Sequence, residues 1–284
     1  MLMETEFCEE LEVCRSLIDS EFLSKIESIL ESRCGSVHVL VENMLDPANS
    51  HSFMRVLDAH GIQNLHALES LEPFRFIPAH ASQNSQYQYT TTRFPSWAPP
   101  PTIRASDIKY DTEAGHHSSV SPPLLHPSGV EKSEPKIDPT EAPERWLTIH
   151  RHSTAKDAIE WLHKDGFACI SLSLDDETSQ PLDSVDFSQW SKICLLFGNE
   201  ERGLSLGVRQ RADASIYIPM DGFVQSYNVV VSCAFCLHHL RMESRLTPDL
   251  DRKQRNVLYR QWLLREAQDV AKHLRVKRIV LQDF

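Results

Sequence analysis

Apolar positions recur along this chain with two different periods, and the switches between them outline its elements. Phe7, Leu11, Leu17 or Ile18, Phe22, Ile26 and Leu30 fall near helical spacing and predict one amphipathic N-terminal helix. Val37 to Val41 predicts a buried strand, and Asp46-Pro47-Ala48-Asn49 a turn. Asn49 is placed to cap a helix running through Phe53, Met54, Val56 and Leu57 to His60, stopped by Gly61. A short strand near Asn64 to Ala67 follows. Regular patterning resumes with a strand at Trp146 to Ile149, a helix over Thr154 to His163 and a strand at Phe167 to Leu174. Strands at Ile193 to Leu196 and Ser215 to Ile218 then flank a helix at Leu204 to Arg211. Ser226 opens a buried helix reaching about Met242. Asp249 to His273 reads as a long closing helix with Val257, Leu258, Trp262 and Leu263 inward. Strands alternating with helices of this length predict an α/β fold with a mainly parallel sheet and helices on both faces.

Between about Ser82 and Pro143 the periodicity disappears. Ten of the sixteen prolines fall there among Ser, Thr, His and Gln, so the segment is read as a disordered insertion with too little apolar surface to offset its ordering entropy. Elsewhere the 284 residues, 41% hydrophobic and 24% charged, suffice for a sizeable core. The net charge of −11 argues against binding nucleic acid by bulk attraction. Its distribution is uneven. Residues 1–34 hold nine acidic and three basic side chains, residues 241–284 eleven basic and six acidic, which makes the basic end the natural footprint for a polyanion.

Seven cysteines, at 8, 14, 34, 169, 194, 233 and 236, form no paired framework and imply a reducing compartment. The acidic N-terminus lacks the apolar core of a signal peptide, and the longest apolar run, Val229 to Leu237, is half a membrane span. The expectation is a soluble, cytoplasmic protein, with an organelle as the other compartment open to it. Cys233-Ala234-Phe235-Cys236-Leu237-His238-His239 has cysteine and histidine but no second ligand pair, so it is read as helix core and no metal is expected. His116-His117 is read as solvated filler, and Lys272, Arg275, Lys277 and Arg278 as a basic face that could meet RNA.

Two loops rich in backbone-exposing residues lie a fixed distance apart: Gly198-Asn199-Glu200-Glu201-Arg202-Gly203, and Ile218-Pro219-Met220 through Ser226-Tyr227-Asn228. Each alone is an ordinary strand-to-helix turn, and Asn49, Ser226 and Asn228 are good helix starters. Together with the Asn49 turn, however, they put three polar loops at strand ends, where open α/β sheets bind ligands.

These three segments, Val41 to Arg55, Leu196 to Leu204 and Ile218 to Asn228, resemble the three motifs of the SpoU/TrmH family within the SPOUT superfamily. The flanking helices, including Gln261-Trp262-Leu263, are similar to its tRNA guanosine-2′-O-methyltransferase branch. The resemblance implies a C-terminal deep trefoil knot, S-adenosyl-L-methionine (AdoMet) as cofactor, a homodimer, and methyl transfer to a ribose 2′-hydroxyl of structured RNA, with a tRNA guanosine in the D-loop preferred over ribosomal RNA. No membrane partner is implied. A protein that keeps the fold and binds RNA without catalysis is the alternative of another class. Carried over by position, the cofactor residues are Leu172, Gly198, Ile218, Met220 and Tyr227, and the catalytic residues Asn49, Arg55, Glu200, Ser226 and Asn228.

A guanidinium with a pKa above about 12 is a poor base, so Arg55 is read as a phosphate clamp and alkoxide stabiliser. Ser226 and Asn228 shape the cofactor loop and orient Arg55, while Glu200 ties the loops together. The chain departs from the family pattern at Tyr227, usually a small aliphatic, at His51, and in its acidic N-terminal helix. The implied organisation is an N-terminal helix over 1–34, a methyltransferase domain over 35–81 and 144–242, the insertion 82–143, and a basic helix and tail over 243–284.

Overall fold

The computed structural model describes residues 9–76, 142–174 and 178–273. The insertion expected over 82–143, apart from its last two residues, lies outside them, as do His116, His117, Arg275, Lys277 and Arg278.

Among the described residues, seven parallel-paired strands form one sheet: β1 Val37–Glu42, β2 Asn64–Leu68, β3 Thr148–His152, β4 Ala168–Leu172, β5 Gln180–Pro181, β6 Ile193–Phe197 and β7 Ala214–Tyr217, in the order β3-β2-β1-β6-β4-β7-β5. Period-two alternation splits the core between its two faces. Val37, Val39 and Val41 face α3 (Pro47–Ala59) and α6 (Val229–Met242). Leu40, Cys194 and Leu196 face α4 (Ala155–Lys164) and the single turn α5 (Leu206–Arg209).

A separate apolar cluster joins α1 (Glu9–Leu17), α2 (Ser20–Glu31) and α7 (Arg252–His273) around Trp262 and Trp146. Its polar centre is Arg33, 1% exposed, which donates to Asp58 on α3 and lies with its guanidinium 5.3 Å from the Trp262 ring centroid.

Several boundaries differ from expectation, each for a local reason. The N-terminal helix is two, because the Asp19 side chain accepts from the Glu21 and Phe22 backbone N–H groups and restarts the chain as α2. Asp46, rather than Asn49, caps α3, with Pro47 in the first turn where a missing N–H costs nothing. Gly61 ends that helix at φ +74°, as its position suggested. Trp146 caps the C-terminal end of a 3-10 turn at Pro143–Arg145, and β3 starts two residues after it. Asn228 caps α6, so Ser226 stays in the preceding loop. Val257 is 39% exposed and does not face inward. The two-residue edge strand β5 carried no period to detect.

Candidate cofactor pocket and catalytic rim

Three strands of the middle of the sheet, β4, β6 and β7, end at a cavity of about 960 Å³. This is the carboxyl-end crevice where open parallel sheets place ligands. Of the residues expected to serve the site, Leu172, Gly198, Glu200, Ile218, Met220, Ser226, Tyr227 and Asn228 all line it.

The Gly198 loop is built from backbone. Asn199 N–H donates to the Gly203 carbonyl at 3.1 Å and Gly203 N–H to the Asn199 carbonyl at 2.9 Å, closing a tight hairpin at Gly203, φ +64°. A Cβ at Gly198 would lie 2.1 Å from the Gly203 carbonyl carbon and 2.2 Å from the Leu204 nitrogen. Glycine is therefore required here by the chain's own closure. The Asn199 side chain holds the loop from both sides: its Oδ1 accepts from Glu201 and Arg202 N–H, and its Nδ2 donates to the Asn43 carbonyl at 2.7 Å. Asn43 sits at φ +49° and accepts from Leu71 and Glu72 N–H, while the 2% exposed Glu42 accepts from Ser205 N–H at 2.7 Å. Asn199, Asn43 and Glu42 were missed as site residues. Asparagine inside a glycine-bounded turn was the signal that could have found the first.

The rim joins all three loops through side chains. Asn228 Nδ2 donates to Asn49 Oδ1 at 3.3 Å, and Asn49 Nδ2 donates to Glu200 Oε1 at 3.0 Å. The other Glu200 oxygen accepts from Leu45 N–H. Asn49 thus acts as a coupler in the first turn of α3, the role left open once Asp46 takes the cap.

Arg55 is exposed on α3 and is not among the cavity's lining residues. One turn before it stands His51, whose pKa is lowered by burial and by the Arg55 charge, and whose Nδ1 is buried without a hydrogen-bond partner among the described residues. The Tyr227 ring turns its edge to Phe235 of α6 at 5.3 Å between centroids, and both rings are partly exposed. Cys233 and Cys236 are buried in α6, where burial pushes the Cys236 thiol up to about 12.

A parallel α/β sheet with polar loops around a cavity at its carboxyl edge is the architecture of a ligand-binding α/β protein. Residues 124–238 match the SpoU rRNA Methylase family model. A tRNA (guanosine(18)-2′-O)-methyltransferase of Borreliella burgdorferi is 34% identical over 108 residues, 38% of this chain and 48% of the relative. The chain thus spans about half the length of that curated relative. The enzyme of the same name from Thermus thermophilus is 24% identical over 238 residues, 81% of this chain and 91% of the relative. The crystal structure of the A. aeolicus TrmH/SpoU tRNA modifying enzyme superposes with a TM-score of 0.57 at 18% identity, covering 87% of this chain and 96% of that one. No helix among the described residues is long and apolar enough to cross a membrane.

Proposed function

We propose that this protein transfers a methyl group from AdoMet to a ribose 2′-hydroxyl of RNA, with a guanosine in the D-loop of tRNA as the target. The observation that carries this is the rim: Asn228, Asn49 and Glu200, one from each loop, form a continuous hydrogen-bonded line beside a cavity of about 960 Å³. That volume suits a nucleoside-sized cofactor. The substrate class rests on relatives named as tRNA guanosine-2′-O-methyltransferases.

Leu172, Gly198, Ile218, Met220 and Tyr227 would hold AdoMet, chiefly through main chain. Bound there, it supplies an electrophilic sulfonium methyl. The chain's own work is alignment and charge. Glu200, Asn49 and Asn228 fix the three loops relative to one another, and Ser226 shapes the loop from Ile218 to Asn228. Arg55 would grip a phosphate of the RNA and stabilise the alkoxide that forms as the hydroxyl loses its proton. Its exposed position off the cavity supports a group recruited by RNA or supplied to a second copy's site.

The finer architecture follows the same reading. We take residues 35–81 and 144–242 as the catalytic domain, with the helices on either side of it as a satellite. We also take its C-terminal part as a trefoil knot. The chain leaves β7 beyond β4, yet α6 returns to pack on α3 beneath β1, which supports threading. The partly exposed Tyr227, Val231 and Phe235, with the fully exposed Phe223 nearby, support a homodimer formed over α6.

Ribose-methylation mapping of total RNA, with and without the protein, tests the activity. Loss at a tRNA D-loop guanosine is the expected result; loss confined to ribosomal sites would move the substrate. Calorimetric titration with AdoMet tests the cofactor, and a protein that binds RNA but no AdoMet would be a scaffold on this fold.

A further inference from the structure

On the sheet face opposite the cofactor cavity's α3 side, three elements distant in sequence bring together a histidine, a cysteine and a carboxylate. His163 lies in the last turn of α4, Cys169 on β4, and Asp213 immediately before β7. Their nitrogen, sulfur and oxygen donor atoms all lie within 4.8 Å of one another. Donors grouped around one tetrahedral ion with bonds of about 2.0–2.3 Å are separated by roughly 3.3–3.8 Å, within that limit.

The backbone beneath them is fixed. Asp213 N–H donates to the Cys169 carbonyl at 2.7 Å, and Cys169 N–H donates to Asp213 Oδ2 at 2.7 Å, a reciprocal clamp between the two ligand-bearing residues. The same Oδ2 faces His163 Nε2 at 2.9 Å. A carboxylate carries about four acceptor sites, so the clamp leaves lone pairs for an ion. Burial is graded across the trio: Cys169 is fully buried, whereas the His163 and Asp213 side chains are 41% and 40% exposed. An ion held here would have its sulfur ligand on the protein side and an open position toward solvent. A plain His–Asp ion pair has no use for the thiol; a borderline-soft cation does.

We propose that His163, Cys169 and Asp213 form a binding site for a single zinc ion, separate from the methyl-transfer site and independent of that assignment. The ion is coordinated by Nε2, Sγ and a carboxylate oxygen with solvent as the fourth ligand. Binding displaces the thiol proton to solvent, so one proton is released per zinc bound at this site.

The test is titration of the full-length, chelator-treated protein with zinc sulfate against a chromophoric chelator, paired with cobalt(II) substitution. The expected result is one equivalent of tightly held zinc and a thiolate-to-cobalt charge-transfer band. His163→Gln, a change at an exposed position that leaves the core intact, is expected to weaken zinc at least about tenfold, the scale seen when an ion's supporting groups are removed. Cys169→Ser is expected to abolish the charge-transfer band. Zinc affinity unchanged in His163→Gln, or a cobalt spectrum without a thiolate band, would overturn the proposal. So would binding no tighter than that of the buried histidines elsewhere, read from a His163→Gln/Asp213→Asn double variant with wild-type affinity.

Discussion

Two polar networks in this molecule make an instructive contrast. The rim network of Asn228, Asn49 and Glu200 joins three loops, is exposed, and ends on carboxylate oxygens beside an open cavity. The second network lies among strands. His152 Nε2 meets His66 Nδ1 at 2.9 Å, and His66 Nε2 meets His38 Nδ1 at 3.0 Å; His150 stacks on His66 at 4.6 Å and bonds Asn64. His66 and His38 are buried, with Phe167 stacked on His38 at 4.0 Å.

The ladder bonds strand to strand, His152 to His66 to His38, so its chemistry is spent on holding β1, β2 and β3 together. The rim leaves valence and space unfilled. Polarity at a sheet thus marks a functional site where it borders open space, and a structural one where it links neighbouring strands.

The largest expected effect comes from Gly198→Ala. The added carbon has no room at the hairpin, so AdoMet binding in calorimetry should fall below detection, while a loss of about 1–3 kcal/mol in denaturant unfolding would match ordinary overpacking. Full binding by this variant would detach the hairpin from the cofactor site.

Arg55→Lys should lower methyl transfer at least about a hundredfold, the scale of one lost charge-stabilising donor, with AdoMet affinity unchanged. Normal turnover would remove Arg55 from the mechanism and leave the rim alone to explain it.

On the other side of the contrast, His66→Leu should cost about 1–3 kcal/mol of stability, because it strands ring nitrogens of His38 and His152 without partners. Its AdoMet affinity should stay at the wild-type value. A fall in affinity comparable to that of Gly198→Ala would mean the two networks are coupled.

Acid should separate them as well. Burial lowers the pKa of all four histidines, well below the usual value for His38 and His66 and to about 4 for His150. The folded ladder therefore binds fewer protons than the unfolded chain between those values and the unfolded histidine pKa of about 6.5. Stability from this source is complete above about pH 6.5 and declines as pH falls below it. Lys192 sharpens the effect at His38, and the Asp165 and Asp157 charges oppose it at His150 and His152. Thermal melts from pH 7.5 to 5 should show the decline, and a His66→Leu/His150→Phe variant should flatten it.

The smallest effect belongs to Asn228→Ala. It removes the α6 cap and the link to Asn49, for about 1 kcal/mol in unfolding.

The sequence displayed the rim far better than the ladder. Gly198 and Asn228 are residue types that mark turns at strand ends, while Ile218 and Tyr227 were placed at the site by the resemblance of their loops to the family's motifs; all four line the one cavity. The ladder was not legible. His150 and His152 look like the solvent side of an alternating strand, and only the register that sets His66 opposite His150 turns them inward as a group. Boundaries failed where short-range chemistry competed. Asp19 split a helix whose apolar period ran through it, and Asp46 took a cap that Asn49 could also have filled. His163, Cys169 and Asp213 were equally hidden, since nothing in their spacing of six and forty-four residues signals that they meet.

Arg33 carries a consequence for how the molecule is made. Its charge is covered by a ring two hundred and twenty-nine positions further along the chain. During synthesis the first two helices can form early, yet the guanidinium must stay wet until Trp262 has left the ribosome. The packing of α2 against α7 at Arg33 is therefore completed only after α7 has been made.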